Sequence, residues 1–418
     1  YSFAINCETK FKCRGLGMSD NKILKRANEL FEEIRTIRRD VHRHPELGYH
    51  ENRTSALIKA KLSEYGVDNI EQPTPTSVVA TIVGRKGEGR TIALRADIDA
   101  LPINEETELE FASENDGVMH ACGHDFHVSM MLGNAEMLSE MRDEFCGKVK
   151  IIFQHSEDTQ PGGAKELVAK GVMDDVDAIV GLHVLPDENP EEYGKVCFRS
   201  GPMTTSADLV QVTVTGLGGH SSQPHLLHDP VLAASQMIVL LQQIQARYTD
   251  ANETAILPIT YIRGDSAINV VPEKVEFGGA ARTYNNDVRK VIEDQVYKIG
   301  RGVAEMSGCT VDVNYIKGYA PVINDKELTA LSRAATADAI GEDRIIDLER
   351  PMNFSEDFSA YSDVSGKPGT FMILKAGNAG HYAPLHNPAS TLNEETIPYG
   401  MAAMVATAIR YLNEDCSA

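Results

Sequence analysis

Nine consecutive residues, Met119-His120-Ala121-Cys122-Gly123-His124-Asp125-Phe126-His127, hold three histidines, a cysteine and an aspartate. Imidazole, thiolate and carboxylate are the groups that bind divalent transition metals, and a thiolate favours the softer ones. Cys122 and His124 are two apart, so an extended backbone would send both side chains from one face, with Gly123 leaving that face uncrowded. A buried cysteine beside a capping His-Asp turn is the competing reading of the same packet. Further on, an apolar run over 148–154 delivers His155-Ser156-Glu157-Asp158. Adjacent carboxylates point in different directions, so one can hold a metal while the other faces a water. That division separates ligand from general base, as metal-assisted hydrolysis requires. Asp97 and Asp99 end another short β-rich run, where open α/β sheets place their sites. His183 closes a strand-like run over 178–182, and His386 sits in a loop that Pro384 and Pro388 stiffen. His42 and His44, which precede Pro45, are read as structural or entrance residues.

The elements that must carry these groups alternate between helix and strand. Leu24, Ala27, Leu30, Phe31, Ile34, Ile37 and Val41 recur at helical spacing over 21–43, and Pro45 ends that helix. Helices are expected over 54–65, 128–141, 327–340 and 396–412, with one opening at 162–169. Strands are expected over 78–83, 91–95, 148–154, 178–182 and 369–374. The glycine-rich link 84–89 reads as a hairpin-like connection between the first two. Around residue 203 the pattern changes. Strands over 207–216, 255–263, 275–283 and 310–316, with helices over 230–247 and 288–306, give the order βαββαβ of the ferredoxin-like split unit. The mixed α/β pattern then resumes. The expected organisation is an α/β catalytic domain over 18–202 and 318–418, with a ferredoxin-like domain inserted at 203–317. Residues 1–17 lack a secretory apolar core and are read as an extension or upstream scar before Met18.

Composition narrows the partners. A formal net charge of −21 over 418 residues argues against a nucleic-acid surface, which needs basic patches. No apolar run approaches a membrane span. The seven cysteines are odd in number and scattered, so a reducing, cytoplasmic compartment is expected rather than a disulfide framework.

Taken together, the motifs resemble the M20 metallopeptidase superfamily, in particular its amidohydrolase branch of hippurate hydrolases, N-acyl-amino-acid amidohydrolases and auxin-conjugate hydrolases. The resemblance covers essentially everything after residue 25. It rests on Arg38 to Leu47, Leu94 to Pro102, Met119 to Asp125, Phe153 to Asp158, Gly181 to Val184, Gly218 to His225, Asn269 to Pro272 and Leu385 to Pro388. It implies a mixed-sheet metallopeptidase catalytic domain whose inserted domain serves as lid and dimerisation unit. The implied metal ligands are Cys122, His124, Asp158, His183 and His386, holding one or two divalent ions. Manganese or zinc is expected first, with cobalt and nickel also compatible. Glu157 would be the general base and Asp99 a carboxylate that orients a ligand. His220 would reach a neighbouring subunit's site and steady the oxyanion, which implies a homodimer or a dimer of dimers. Asn269 and Arg282 would hold a substrate carboxylate, since a guanidinium suits bidentate binding. The implied activity is hydrolysis of the amide of an N-acyl amino acid or a similar small conjugate.

One segment departs from the family, whose usual Phe-Gln-Pro-Ala-Glu-Glu is Phe153-Gln154-His155-Ser156-Glu157-Asp158 here. Aspartate at the ligand position withdraws the carboxylate by roughly 1.5 Å, about one C–C bond. The expected consequences are a backbone shift or loss of one of two metals, with His155 adding a polar group beside the base. A specialised C–N substrate, such as an aromatic amine undergoing hydrolytic deamination, is then the alternative. A non-catalytic scaffold is the rival from another class, and retention of Glu157 speaks against it.

Overall fold

The computed structural model describes residues 20–67, 69–377, 382–414 and 416. The expected N-terminal extension, Met18 and His381 lie outside the described residues. In chain order the strands are β1 (Asn69–Glu71), β2 (Val78–Val83), β3 (Thr91–Asp97), β4 (Lys148–Gln154), β5 (Ala178–Leu185) and β6 (Val196–Phe198). An excursion follows with β7 (Ala207–Thr215), β8 (Ala255–Ile256), β9 (Ile259–Arg263), β10 (Lys274–Thr283) and β11 (Thr310–Tyr319). The chain then returns with β12 (Ile345–Asp347) and β13 (Gly369–Lys375). The helices are α1 (Asp20–Arg43), α2 (Asn52–Glu64), α3 (His124–Glu140), α4 (Gly163–Ala169), α5 (Pro230–Leu241), α6 (Gln243–Arg247), α7 (Asn286–Ser307), α8 (Lys326–Ile340), α9 (Ser359–Asp363) and α10 (Ile397–Asn413).

The main sheet is mixed, in the order β1-β2-β4-β3-β5-β13-β6-β12. Strands β3, β4, β5 and β13 run parallel to their neighbours among themselves, while β2 meets β4 antiparallel. Side-chain alternation along these strands builds two layers. Val149, Ile151 and Phe153 of β4 enter a core shared with α1, α3, α8 and α10, whereas Ile152 joins the opposite layer with α4 and α9. Helix α1 lays Ile23, Ala27, Leu30, Ile34, Ile37 and Val41 into the first layer at the spacing the sequence predicts. Full burial of residues such as Leu30 or Ile34 contributes roughly 1.5–3 kcal/mol each.

The expected hairpin between β2 and β3 does not form, because β4 lies between them. The link after β2 is held instead by the chain that enters β4: the Gly84 N–H donates to Gly147 O at 2.9 Å, and the Lys148 N–H donates to Arg90 O at 3.0 Å. A glycine-rich link reports a turn without reporting which strand will sit beside it.

The excursion makes a second, all-antiparallel sheet in which β10 pairs with β7 and β7 with β11, while β8 and β9 both pair with β10. Its own core joins Val210, Val212, Val214 and Phe277 to Met237 of α5 and Val296 of α7. The single strand expected over 255–263 is split around Pro258, which has no N–H to give to the ladder. Gly201–Pro202 and Ile323–Asn324 pair antiparallel, so the chain leaves the main sheet and returns to it side by side. Among the described residues no helix is long and apolar enough to cross a membrane.

Candidate metal centre

Strand ends and one helix start bring the chemical groups together. The Cys122–His124 pair is not extended, as the spacing had suggested. Gly123 lies in the left-handed region at φ 83° and caps α3, so His124 begins the helix. A side chain at Gly123 would meet Val184 Cγ2 at 2.5 Å, and only glycine fits this turn. His183 lies inside β5 rather than at its end, because β13 continues to pair with β5 as far as Leu185.

The implied ligands converge. Cys122 Sγ is 3.5 Å from His183 Nε2 and 3.3 Å from His386 Nε2. Asp158 Oδ1 is 3.4 Å from His386 Nε2, and Asp158 Oδ2 is 3.9 Å from His124 Nε2. Two ligands each about 2.0–2.3 Å from one tetrahedral ion stand about 3.3–3.7 Å from each other. Two ligand groups share Cys122: one with His124 and His183, the other with Asp158 and His386. Asp158 therefore reaches the cage despite its shorter side chain.

His124 and His183 are held at Nδ1, which leaves Nε2 facing the other ligands. The His124 Nδ1–H is held by Asp99, through the backbone O at 2.9 Å and Oδ1 at 3.1 Å. The His183 Nδ1–H donates to Val184 O at 2.6 Å. His124 Nε2 and Asp158 Oδ2 are buried and have no hydrogen-bond partner. Orphaned lone pairs of this kind, among a thiol, imidazoles and a carboxylate, fit a divalent transition metal. Electrostatics agrees. Burial opposes a charge on His124, yet Asp97 and Cys122 hold its pKa well above the ordinary histidine value. Burial pushes the Asp158 carboxyl up to about 7, with Asp99 and Asp97 adding to the rise against His124. Burial also drives the Cys122 thiol well above its usual value.

Backbone geometry is special here. His386 at φ 61° and Ser156 at φ 48° are non-glycine residues in the left-handed region, which concentrates at functional sites. The His386 N–H donates to Ala121 O at 2.9 Å, and the Ser156 N–H to Glu51 Oε1 at 2.8 Å, so both strained turns are tied down.

Glu157 and Asp158 line one cavity of about 330 Å³ with His386, Arg282, Tyr319, Asn353 and Phe354. Burial raises the Glu157 carboxyl well above the usual carboxylate range, and Glu356, Asp158 and Asp357 raise it further. Arg282 is partly buried, and its guanidinium donates to Ser206 O at 3.5 Å. His155 turns away from the base: its ring is 3.2 Å from Glu166 Oε2 and 3.4 Å from Thr74 Oγ1.

His220 and Asn269 lie elsewhere, on the paired segments Gly219–His220 and Val270–Val271 and the loop before them. The Ser221 N–H donates to Asn269 O at 3.1 Å, and both His220 and Ile268 are exposed. His42 is structural in its bonding, buried between Asp125 Oδ2 at 2.8 Å and Glu105 Oε1 at 3.1 Å.

Several residues of the site carry no role on sequence grounds. His127 is one of the three histidines of the packet, but both its nitrogens are engaged, by Asp97 Oδ1 at 2.5 Å and the Val184 N–H at 2.9 Å. The Tyr319 hydroxyl donates to Glu157 O at 2.5 Å, from the end of β11. The Asp357 N–H donates to Glu157 Oε1 at 3.3 Å. The one signal for the last was a second Ser-Glu-Asp at 355–357, echoing 156–158.

A mixed sheet with an inserted antiparallel unit and a cage of thiol, imidazole and carboxylate defines a metal-dependent hydrolase. Residues 93–410 match the model of peptidase family M20/M25/M40. The chain is 39% identical over 310 residues to an N-acyl-L-amino acid amidohydrolase of Geobacillus stearothermophilus, covering 74% of this chain and 83% of that one. It is 35% identical over 416 residues to an IAA-amino acid hydrolase of Arabidopsis thaliana, covering 97% and 92%. Among solved structures it superposes on the Bacillus subtilis YXEP protein, described as a dinuclear metal binding peptidase from the M20 family. The TM-score is 0.79 at 31% identity, covering 92% of this chain and 99% of that one. The chain belongs to peptidase family M20/M25/M40, and it is a metal-dependent hydrolase of C–N bonds.

Proposed function

We propose that this enzyme hydrolyses the amide of an N-acyl amino acid or a similar small conjugate that carries a carboxylate. One observation carries the reading: Glu157, Asp158 and His386 share a single cavity with Arg282. When bound, a divalent ion held by Cys122, His124, Asp158, His183 and His386 polarises the scissile carbonyl and lowers the pKa of water. Glu157 takes a proton from the attacking water and passes it to the leaving nitrogen. Its burial keeps that proton exchange away from bulk solvent. Arg282 holds the substrate carboxylate through its fork of N–H donors and so fixes the amide against Glu157. Asp99 keeps His124 in the tautomer that points its lone pair inward.

The distances around Cys122 support two ions per chain, with manganese or zinc first. His220 and Asn269, exposed on the excursion and not among the residues that line this chain's own cavity, are supplied to the site by a second copy. The excursion, residues 203–317, then serves as lid and dimerisation domain of a homodimer, with the catalytic domain formed by 18–202 and 318–418. The free thiols of Cys122, Cys146, Cys197, Cys309 and Cys416 fit a cytoplasmic setting. The resemblance of relatives named for N-acyl and auxin conjugates favours this substrate class over hydrolytic deamination of an aromatic amine.

The test compares N-acetyl, N-benzoyl and indole-acetyl amino acids with the matching N-acyl amines that lack the carboxylate, on manganese- or zinc-loaded protein. The expected result is amino-acid release from the first set and at least a tenfold lower kcat/KM for the second. Equal rates for both sets would remove Arg282 from the reading. Ammonia release from an aromatic amine, with no amide cleaved, would favour deamination.

A further inference from the structure

We propose that Arg95 is a positioning residue that locks the metal cage and the general base into one geometry. The inference rests on the function proposed above and deepens it. Arg95 lies on β3 and is 2% exposed, with Asp97 two residues on along the same strand and Gln154 at the end of the neighbouring β4. Every edge of its guanidinium is engaged. Nε donates to Gln154 Oε1 at 2.8 Å and Nη1 to Asp97 Oδ2 at 2.7 Å. Nη2 donates to Asp357 Oδ1 at 2.9 Å and lies 3.1 Å from Glu356 Oε1.

One side of this fork leads to the cage. Asp97 Oδ1 accepts from His127 Nδ1, and His127 Nε2 accepts from the Val184 N–H at 2.9 Å. Val184 also supplies, from its next peptide, the carbonyl that orients His183. Asp97 Oδ2 itself stands 3.7 Å from His124 Nε2. The other side leads to the base. Asp357 donates its N–H to Glu157 Oε1, and its carboxylate accepts from Gln154 Nε2 at 2.8 and 2.7 Å and from the Ala164 N–H at 3.0 Å. Gln154 precedes Glu157 by three residues on the same chain segment. A single planar cation therefore ties β3, β4 and the 353–358 loop of the chain's last third. Asp97, Glu356 and Asp357 are all buried, and the guanidinium between them offsets their mutual repulsion. Lysine retains the charge but offers one compact ammonium in place of a fork, so it cannot span the same partners.

The experiment uses the full chain as Arg95→Lys, Asp357→Asn and the double variant. Metal affinity is read on metal-free protein by competition titration with manganese or zinc alone. The kinetic constants are read at saturating metal on an N-acyl amino acid that the wild type cleaves. Folded R95K is expected to bind metal about 10–100-fold more weakly, the usual effect of losing a partner behind the ligands. Its kcat falls about 100-fold with KM within about twofold, the cost of a misplacement near 1 Å. Because both substitutions break the same link, the double variant falls to about the level of the worse single variant rather than to the product of the two losses. Wild-type metal affinity and kcat in folded R95K, or multiplicative losses in the double variant, would overturn the proposal. Should R95K fail to fold, the nearly isosteric D357N decides: a lowered kcat at unchanged KM supports the link, and a wild-type kcat removes it. A wild type that cleaves no amide defeats the proposed function instead, while the metal titration still reports on Arg95.

Discussion

Replacing Asp99 by alanine isolates what a residue one step behind the ligands contributes. Asp99 Oδ1 accepts from His124 Nδ1 at 3.1 Å, and Oδ2 accepts from the Asp158 N–H at 3.0 Å. One carboxylate thus aims two ligands. His124 keeps a second acceptor in the variant, the Asp99 backbone O at 2.9 Å, so its tautomer survives. The Asp158 N–H has no such reserve, and a buried donor left unpaired costs about 1–3 kcal/mol. Losing an orienting partner typically weakens metal binding about 10–100-fold. The unpaired donor burdens the metal-free and the loaded chain alike and so lowers stability, whereas the loss of affinity follows from ligands that are no longer aimed. The expected result is therefore metal binding weaker by about 10–100-fold in D99A, most of it through Asp158. In D99N one oxygen remains for one of the two donors, and an intermediate loss is expected. Competition titration against a chelator gives the affinities, and thermal unfolding of the metal-free proteins shows whether each variant is folded. Wild-type affinity in folded D99A would refute the claim that this carboxylate aims the cage.

Metal binding should also depend on pH with a defined break. Binding needs the Asp158 carboxylate and the Cys122 thiolate, and burial raises both pKa values, that of Asp158 to about 7. His124, whose proton the cage also holds more tightly, must give it up as well, so affinity should climb steeply with pH on the acid side and by about tenfold less per unit beyond pH 7, where Asp158 has already ionised. Titrations from pH 5.5 to 8.5 check the slope, and a flat profile would contradict the burial argument. The stability of the metal-free chain carries the opposite sign. A carboxyl whose folded pKa is raised binds more protons folded than unfolded, so the contribution of Asp158 to stability falls as pH rises from about 4 to about 7, which the difference between thermal melts of the wild type and Asp158→Asn can follow. Gly123→Ala should destabilise the chain by about 2–4 kcal/mol, from a left-handed alanine and overpacking against Val184 and Leu392. Calorimetry with and without metal measures it, and an unchanged midpoint would rule out the turn as drawn.

What was legible in the sequence was whatever depends on local periodicity or on rare chemical groups. Helix α1 follows its apolar stripe, and β4 begins and ends at the residues its apolar run predicts. The groups that could bind metal stood out against an ordinary composition, but the proposed ligand set came from the resemblance of their motifs to those of the family. Long-range pairing could not be read in the same way. The link after β2 looked like a hairpin because its glycines report flexibility, whereas the partner of β2 arrives some sixty-five residues later. Cys122 and His124 looked extended because spacing alone does not reveal that Gly123 starts a helix. Arg95, Asp97 and His127 stood in plain view within the motifs. Their roles depend on contacts with Gln154, Asp357 and Val184, which only the folded sheet brings near.

The most direct test of the account is the turnover of an N-acyl amino acid by Glu157→Ala, with metal content measured on the same sample. The account predicts wild-type metal content, since Glu157 is not among the ligands, together with a fall in kcat of about 10²–10⁴-fold, the usual contribution of a general base. Full metal with undiminished kcat would contradict it, because the proton of the attacking water would then be taken by another group.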